Sequence, residues 1–181
     1  MPSARSLKID LYRIPVGQMT VMMESLVTEK RSMEPPTDNA EQKLLLDYWS
    51  AKRGTRLFPA RRDIDPVELP PKILPNIAIV AVEHCENTDA RFSYRLVGTN
   101  VVRYFGTDVT GRPFKEVFST PEELRSERSH YFHVLETGEI HFVSAQLKIP
   151  GREFLSSTRM LLPLASDGQT IDMILSLFDF H

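Results

Sequence analysis

The sequence predicts an α+β domain built on a five-stranded antiparallel sheet. Two strand-like segments come first, a run of helical segments follows them, and three strand-like segments joined by short turns close the chain. Short turns make consecutive strands antiparallel neighbours. The helices inserted between the second and third strands must therefore cross one face of the sheet, which leaves space for a pocket.

Length and composition favour one domain with an appendage. The chain has 181 residues, of which 41 % are hydrophobic, and a net charge of -2, so a real core is expected and nucleic-acid binding is not. The single cysteine, Cys85, excludes an intramolecular disulfide and fits a reducing cytosol. The sequence contains no apolar run of about 20 residues and no signal-peptide pattern. We expect a soluble, cytoplasmic protein that neither spans nor coats a membrane.

Residues 1–38 are predicted to form an N-terminal extension, and residues 39–181 the main domain. Within the extension, apolar side chains recur at the spacing of one helix face, and a proline pair at 35 and 36 then ends the segment. Packing on the same chain and a contact in a homodimer are both open interpretations, because methionine adapts to irregular surfaces. The candidate dimer contact consists of Met19, Met22, Met23, Leu26 and Val27.

The main domain should begin with a helix that Asp38 or Asn39 caps and Gly54 ends. A proline-rich connector between 59 and 75 follows, which favours extended chain. The basic cluster of the sequence lies around the start of this connector. We expect its arginines to bind nearby carboxylates and carbonyls, with an anion or nucleotide contact as the alternative. The cluster comprises Lys52, Arg53, Arg56, Arg61 and Arg62.

The two early strands have different patterns. Residues 77–82 are all apolar, which predicts a central strand covered on both faces. In the next strand Phe92, Tyr94 and Leu96 alternate with polar or smaller residues, the period of a half-buried strand. Asn100 is a candidate cap for a helix that stops at Gly106.

The second half of the chain carries clear boundary signals. Thr120, Pro121 and Glu123 form a capping box with proline at the first helical position, and Gly138 ends that helix. The last three strands are expected at 139–149, 154–164 and 171–180, with turns at Pro150-Gly151 and Asp167-Gly168.

Several motifs resemble those of a bacterial PAS-like family. The core motifs are Phe92-Ser-Tyr-Arg-Leu-Val-Gly-Thr99, Thr110-Gly-Arg112 and Leu162-Pro-Leu-Ala-Ser-Asp-Gly168. The lead-in is similar as well: Tyr48-Trp49, Arg53-Gly54, Arg56, Pro59 and Asp63-Ile-Asp65-Pro66. The resemblance covers roughly residues 40–180 and implies a PAS fold. It also implies sensing of a small ligand, haem, flavin or redox state, or dimerisation and partner binding, without fixing the signal.

The residues themselves weigh against common PAS cofactors and against metal. Helical geometry predicts that His130 and His133 face solvent, which argues against haem ligation. Cys85 lies at the end of the first strand rather than in the helical insert, which argues against the light-sensing flavin arrangement. His84 and Cys85 should point to opposite faces of a strand, and a zinc site there would need a distant partner such as His141. We predict no metal site and leave the cofactor unknown.

The sequence shows no catalytic constellation, since it lacks a nucleophile elbow and a phosphate-binding glycine loop. We therefore expect a non-enzyme, with a small cone-shaped enzyme as the alternative. A pocket for an organic ligand is expected between insert and sheet. Its predicted lining is Tyr94, Leu96, Tyr104, Phe105, Phe114, Met160 and Leu175.

These observations lead to one functional hypothesis and two alternatives. We expect a single-domain PAS-like signalling adaptor that forms a homodimer and binds a signalling protein, with or without gating by a small ligand. One alternative is a small-molecule receptor whose occupied pocket is its purpose. The other is a nucleotide-binding regulator that uses Arg53 to Arg62.

Overall fold

A computed structural model describes residues 39–85, 89–146 and 156–180 of the chain. The predicted helix around Met22 and the predicted turn at Pro150-Gly151 lie outside these residues. Short 3-10 turns at Arg61–Asp63 and Leu74–Asn76 interrupt the connector. The helices and strands, in chain order, are α1 Ala40–Arg53, β1 Ile77–His84, β2 Ala90–Val97, α2 Thr99–Phe105, α3 Phe114–Val117, α4 Pro121–Thr137, β3 His141–Gln146, β4 Ser156–Leu164 and β5 Met173–Phe180.

The five strands form one sheet in the order β2-β1-β5-β4-β3. Each neighbouring pair is antiparallel, and β1 lies between β2 and β5. The helices α2 to α4 follow β2 and precede β3 in the sequence. The predicted α+β class and the order of its elements are confirmed.

The helix ends show which local signals control this fold. The side chain of Asn39 accepts hydrogen bonds from the backbone of the first turn of α1, and Thr120 and Glu123 complete the capping box of α4. These predictions are confirmed. The predicted cap at Asn100 is wrong, because α2 already begins at Thr99. The amide of Asn100 instead donates to Oδ1 of Asn76 at 2.9 Å.

Gly98 occupies the tight passage between β2 and α2. Its backbone N–H donates to the carbonyl of Ile77 at 2.8 Å. A Cβ atom at this position would lie 2.5 Å from the Pro75 carbonyl oxygen and 2.6 Å from that of Leu74. Only glycine therefore lets this corner of the sheet approach the connector so closely.

Two separate apolar layers cover the two faces of the sheet. Helix α1 and the connector cover one face, which we call the outer layer. Helices α2 to α4 cover the other face, which we call the insert layer. The buried outer layer consists of Leu45, Trp49, Ile64, Leu69, Ile73, Ile77, Ile79, Met160, Leu162, Leu164, Leu175 and Leu177. The buried insert layer includes Ala78, Val80, Phe92, Tyr94, Val101, Phe114, Tyr131, Val134, Val143, Leu161, Ile174 and Phe178.

The β1–β2 pairing contains an irregularity that changes which side chains share a face. Ile79 pairs with Leu96, but the next residue, Val80, pairs with Tyr94. Arg95 is therefore an extra residue in β2, as in a β-bulge. The bulge shifts the alternation, so that Tyr94 packs in the insert layer and Leu96 packs against the outer layer.

The connection between β4 and β5 is two residues longer than the predicted strand bounds allow. Leu164 and Met173 are paired across the strands, so residues 165–172 form the loop. Within it, Oδ1 of Asp167 accepts backbone hydrogen bonds from Gln169 at 2.8 Å and Thr170 at 2.7 Å. The predicted turn at Asp167-Gly168 is confirmed, and the loop is two residues longer than the predicted strand bounds of 164 and 171 allow, because this carboxylate organises a wider loop.

Helix α4 is the longest helix described, with 17 residues, and much of its surface is charged. None of the helices in the described ranges is long and apolar enough to cross a membrane.

Candidate ligand site beneath the insert

A buried ion pair links the sheet to helix α4 inside the insert layer. Nη1 and Nη2 of Arg159, on β4, donate to the two carboxylate oxygens of Glu127, on α4, at 2.6 and 2.5 Å. The two side chains are only 9 % and 11 % exposed. The guanidinium group also lies 5.8 Å from the ring centre of Tyr131 and 5.6 Å from that of Phe178. Paired and stacked in this way, the arginine keeps its charge in an apolar layer.

The electrostatics of the pair follow from its surroundings. Burial alone would lower the pKa of Arg159, but the carboxylate of Glu127, with smaller contributions from Tyr131 and Tyr94, raises the pKa above its ordinary value. Removing either charge would leave the other buried without compensation, which is the costly case for an internal ion pair.

Two buried polar atoms of the insert layer, Nε of Arg159 and the hydroxyl oxygen of Tyr94, lack a hydrogen-bond partner among the described residues. The buried hydroxyls of Tyr131 and Ser176 lie close to each other, and Ser176 acts on the pKa of Tyr131 as a hydrogen-bond partner. Burial raises the pKa of Tyr131 to about 12 and raises that of Tyr94 well above its usual value. Both tyrosines are therefore neutral phenols that can donate or accept. Unsatisfied polar groups are few in folded proteins, so an unpaired donor on a buried arginine indicates a site for water or a ligand.

A small cavity of about 60 Å³ lies at the ion pair. Typical pockets for drug-sized ligands measure roughly 300–1,000 Å³, whereas a site for one water needs roughly 10–15 Å³. The cavity therefore has room for a few waters or a compact group. Its walls are the rings of Tyr104, Phe105, Phe118 and Phe178 together with Ser157 and the Arg159–Glu127 pair.

Four of the seven predicted pocket residues come together in the insert layer. The ring of Tyr94 lies 4.9 Å from that of Phe114 and 5.5 Å from that of Phe105. Tyr104 lies 5.1 Å from Phe105, and these two rings line the cavity. Phe114 and Tyr94 belong to the packed aromatic cluster behind the cavity. Their role in ligand binding stays a prediction.

The other three predicted residues, Leu96, Met160 and Leu175, lie on the opposite face of the sheet. Their placement between sheet and insert was wrong. The bulge at Arg95 explains Leu96. For Met160 the cause is the ordinary alternation of a strand, since its neighbours Arg159 and Leu161 face the insert.

Sequence reasoning missed the charged and hydroxyl groups of the cavity, Glu127, Ser157 and Arg159. A usable signal exists in β4, where Ser157, Arg159 and Leu161 alternate with residues of the outer layer. An arginine in phase with buried positions of a central strand requires an internal partner. The identity of that partner, on a distant helix, could not be read from the strand.

The basic cluster of the connector is largely engaged in local contacts. Arg56 pairs with Asp63 at 2.7 Å and also donates to the carbonyl of Lys52 at 2.6 Å. Arg61 donates to the carbonyl of Ile64 at 2.8 Å. The backbone N–H of Ala60, followed by Arg56, lowers the pKa of Asp63. Arg53 stacks on Trp49 at 5.5 Å, and Arg62 is exposed. An anion contact for this cluster stays a prediction.

Three histidines meet where α4 joins β3. Nδ1 of His130 lies 3.1 Å from Nε2 of His141, and the ring centre of His133 lies 4.5 Å from that of His141. Burial and the neighbouring cationic groups lower the pKa of His130 and lower that of His141 to about 4. The prediction that His130 faces solvent is therefore wrong, whereas His133 is exposed.

The other predicted candidates for metal binding make contacts with the backbone. Nε2 of His84 is 2.7 Å from the carbonyl of Ile171. The thiol of Cys85 contacts the carbonyl of Glu83 at 3.6 Å. Among the described residues, neither His84 nor Cys85 makes a contact with the histidines at the α4–β3 junction.

A five-stranded antiparallel sheet, with helices inserted between its second and third strands over a small internal cavity, defines a class of compact sensory domains. The chain belongs to one family of this class, the PAS domain family. The sequence model of a PAS domain matches residues 37–178, which is most of the chain. A role in sensing or signalling follows from this membership.

Comparison with other proteins adds one structural likeness. The crystal structure of the Rhodobacter sphaeroides LOV protein is similar over 57 % of this chain and 58 % of that protein, with 15 % identity and a TM-score of 0.40. The similar region thus spans less than two thirds of that protein. No curated protein matches this sequence.

Proposed function

We propose that this PAS domain is a signalling module gated by a compact ligand that binds beside the Arg159–Glu127 pair. The observation that carries the proposal is a small cavity at the buried ion pair, where Nε of Arg159 has no hydrogen-bond partner among the described residues. Such a group loses hydration on burial without gaining a partner, which costs about 1–3 kcal/mol. A bound molecule that supplies the missing hydrogen bond would recover part of this energy.

The walls define the chemistry of the ligand. Nε of Arg159 is a donor and requires an acceptor, while the hydroxyl of Ser157 can give or take a hydrogen bond. The rings of Tyr104 and Phe178 provide flat apolar contact. We therefore expect a small organic molecule with one acceptor group and an apolar or aromatic body. A larger ligand would require the insert to move away from the sheet.

The ion pair also suggests how binding reaches the protein surface. Glu127 belongs to helix α4, and Arg159 belongs to a central strand. An acceptor group that competes for the guanidinium weakens the link between helix and sheet. The resulting shift would alter the surface that a second copy or a signalling protein binds, as the adaptor hypothesis requires. The candidate dimer contact around Met22 lies outside the described residues and remains part of this proposal.

Native mass spectrometry of the full-length protein tests ligand binding directly. We expect added mass from a co-purified molecule, or thermal stabilisation by acetate, phenol or benzoate used as probes. The double variant Arg159→Met with Glu127→Leu removes the polar groups but preserves volume, so it should fold and lose the effect. Leu45→Ala, in the outer layer, is the control that should keep it. A protein without added mass that no probe stabilises would contradict ligand gating.

Self-association needs a separate experiment. Replacing Met22 and Leu26 by glutamate in the full-length chain places charges on the predicted helix face. We expect sedimentation to show a smaller assembly for this variant than for the wild type at equal concentration. An unchanged assembly state would contradict the dimer contact and leave the ligand experiment unaffected.

A further inference from the structure

The three histidines at the α4–β3 junction form a group that the cavity does not use. His130 and His133 are three residues apart on α4, so they lie on adjacent positions of the helix surface. His141 is the first residue of β3, and Gly138 reverses the chain between them with a left-handed φ of 68°. The ring centre of His130 is 5.3 Å from that of His141. Two regular elements thus hold the imidazoles of His130 and His133 against that of His141.

We propose that His130, His133 and His141 bind a borderline divalent cation such as Zn²⁺. The separation of 3.1 Å between Nδ1 of His130 and Nε2 of His141 is close to the value for two ligands of one tetrahedral zinc. With Zn–N of about 2.0–2.1 Å, tetrahedral geometry places two nitrogens roughly 3.3 Å apart. The two atoms that now face each other are therefore spaced to share a cation instead.

The third ligand requires a small side-chain movement. In the described part of the chain, no three His, Cys, Asp or Glu side chains are already arranged to hold a metal ion. His133 is exposed, and its ring already contacts His141. Turning this ring about its side-chain bonds meets little packing resistance. Ligands at positions i and i+3 of one helix, joined by groups from a neighbouring element, occur in other metal proteins.

The surroundings allow a cation to enter. An open groove of about 490 Å³ runs along α4 past His133 and Glu136. Its lining includes Glu136 and Arg125, which carry opposite charges, and Arg128, which is paired with Asp89 at 2.6 Å. The charge of Arg159, which lies near the histidines, is offset by Glu127. Imidazole ligands favour Zn²⁺, Ni²⁺ and Cu²⁺ over Mg²⁺ and Ca²⁺.

Metal titration of the tag-free, full-length protein tests the site. We expect calorimetry to detect one Zn²⁺ per chain, no response to Mg²⁺, and visible absorption of a tetrahedral complex when Co²⁺ is added. His133→Asn should weaken Zn²⁺ binding at least about tenfold. This variant changes an exposed residue, so it should fold normally. His84→Asn is the matched control, because His84 is distant in sequence and bonded to Ile171, and it should bind like the wild type.

Two results would overturn the proposal. One is the absence of Zn²⁺ binding by calorimetry in the wild type. The other is equal affinity in the wild type, His133→Asn and His141→Asn, which would indicate weak binding elsewhere on the surface. A metal-dependent rise in the unfolding temperature that disappears in His133→Asn would support the site, because a ligand that binds only the folded state stabilises it.

Discussion

The two faces of the sheet bury different kinds of side chain. The outer layer is mainly aliphatic, and the indole N–H of its Trp49 donates to the carbonyl of Pro163 at 2.9 Å. Its one buried and unpaired polar side chain among the described residues is Gln42. The insert layer combines packed aromatic rings with an ion pair and several buried hydroxyls.

The difference lies in the buried polar groups. Apolar burial contributes about 25 cal/mol for each Å² removed from water, while unpaired polar groups reduce stability. Both layers contribute such apolar burial, and the insert layer combines it with a buried ion pair. The insert layer tolerates unfavourable burial around its cavity, and natural proteins accept such conflicts chiefly at functional sites. Each substitution below changes one layer, so its effect can be compared with that of a change in the other layer.

The largest effect is expected from breaking the ion pair of the insert layer. Glu127→Ala leaves the Arg159 guanidinium buried without its carboxylate, and this should lower the free energy of unfolding by about 3–5 kcal/mol. Urea denaturation followed by circular dichroism measures the change.

A double replacement provides the control for this prediction. Arg159→Met combined with Glu127→Leu removes both charges at similar volume, so its loss should be much smaller than that of Glu127→Ala alone. If the single and double variants lost equal free energy of unfolding, the loss would come from changed packing rather than from the uncompensated charge.

A smaller effect is expected in the outer layer. Leu45 has no exposed surface, and Leu45→Ala should lower the free energy of unfolding by about 3 kcal/mol through lost burial and a cavity. Ligand binding beside Arg159 should not change, as native mass spectrometry can verify. The exposed Leu44, which is 45 % accessible on the same helix, is the matched control, and Leu44→Ala should have little effect. A loss of ligand from Leu45→Ala would show that the two layers are coupled.

The smallest effect concerns pH and arises at the edge of the insert layer. Burial lowers the pKa of His130 and lowers that of His141 to about 4, compared with about 6.5 for a free histidine. The unfolded chain therefore binds more protons at mildly acid pH. The stabilising contribution is complete above about pH 6.5 and is lost as the pH falls towards 4.

His141→Gln measures this contribution. Because solvent screens a partly exposed ring, we expect the stability difference between wild type and variant to shrink by about 1–2 kcal/mol between about pH 7 and about pH 5. Urea denaturation at the two pH values in the absence of divalent metal gives the result. The stability difference between the wild type and Leu45→Ala should be the same at both pH values, because both proteins retain His141. A constant difference between wild type and His141→Gln would contradict the prediction.

Much of the fold could be predicted because its signals are local. The Thr120 capping box and Asn39 cap mark helix starts by short-range hydrogen bonds. The apolar run from Ile77 predicts a central strand, since only a strand covered on both faces can bury every side chain. The loop at Asp167 was less predictable, because its width depends on the pairing of Leu164 with Met173.

The site was harder to predict than the fold. Tyr104 and Phe105 were identified from the aromatic pattern, but Leu96 was assigned to the wrong face because a bulge leaves no reliable trace in the alternation of a short strand. Glu127 was missed because a charged residue on a long, mostly polar helix has no distinguishing neighbours.

The sequence by itself determined the order of strands and helices, most helix ends and the PAS architecture, because these depend on neighbouring residues and on hydrophobic period. Only the tertiary structure decided which face each side chain occupies. It also decided that Arg159 meets Glu127 and that His141 meets His130, pairs separated by 32 and 11 positions in the chain. The physical reason is that a buried charge or imidazole needs a partner close in space. Which distant residue becomes that partner depends on how the strands and helices pack.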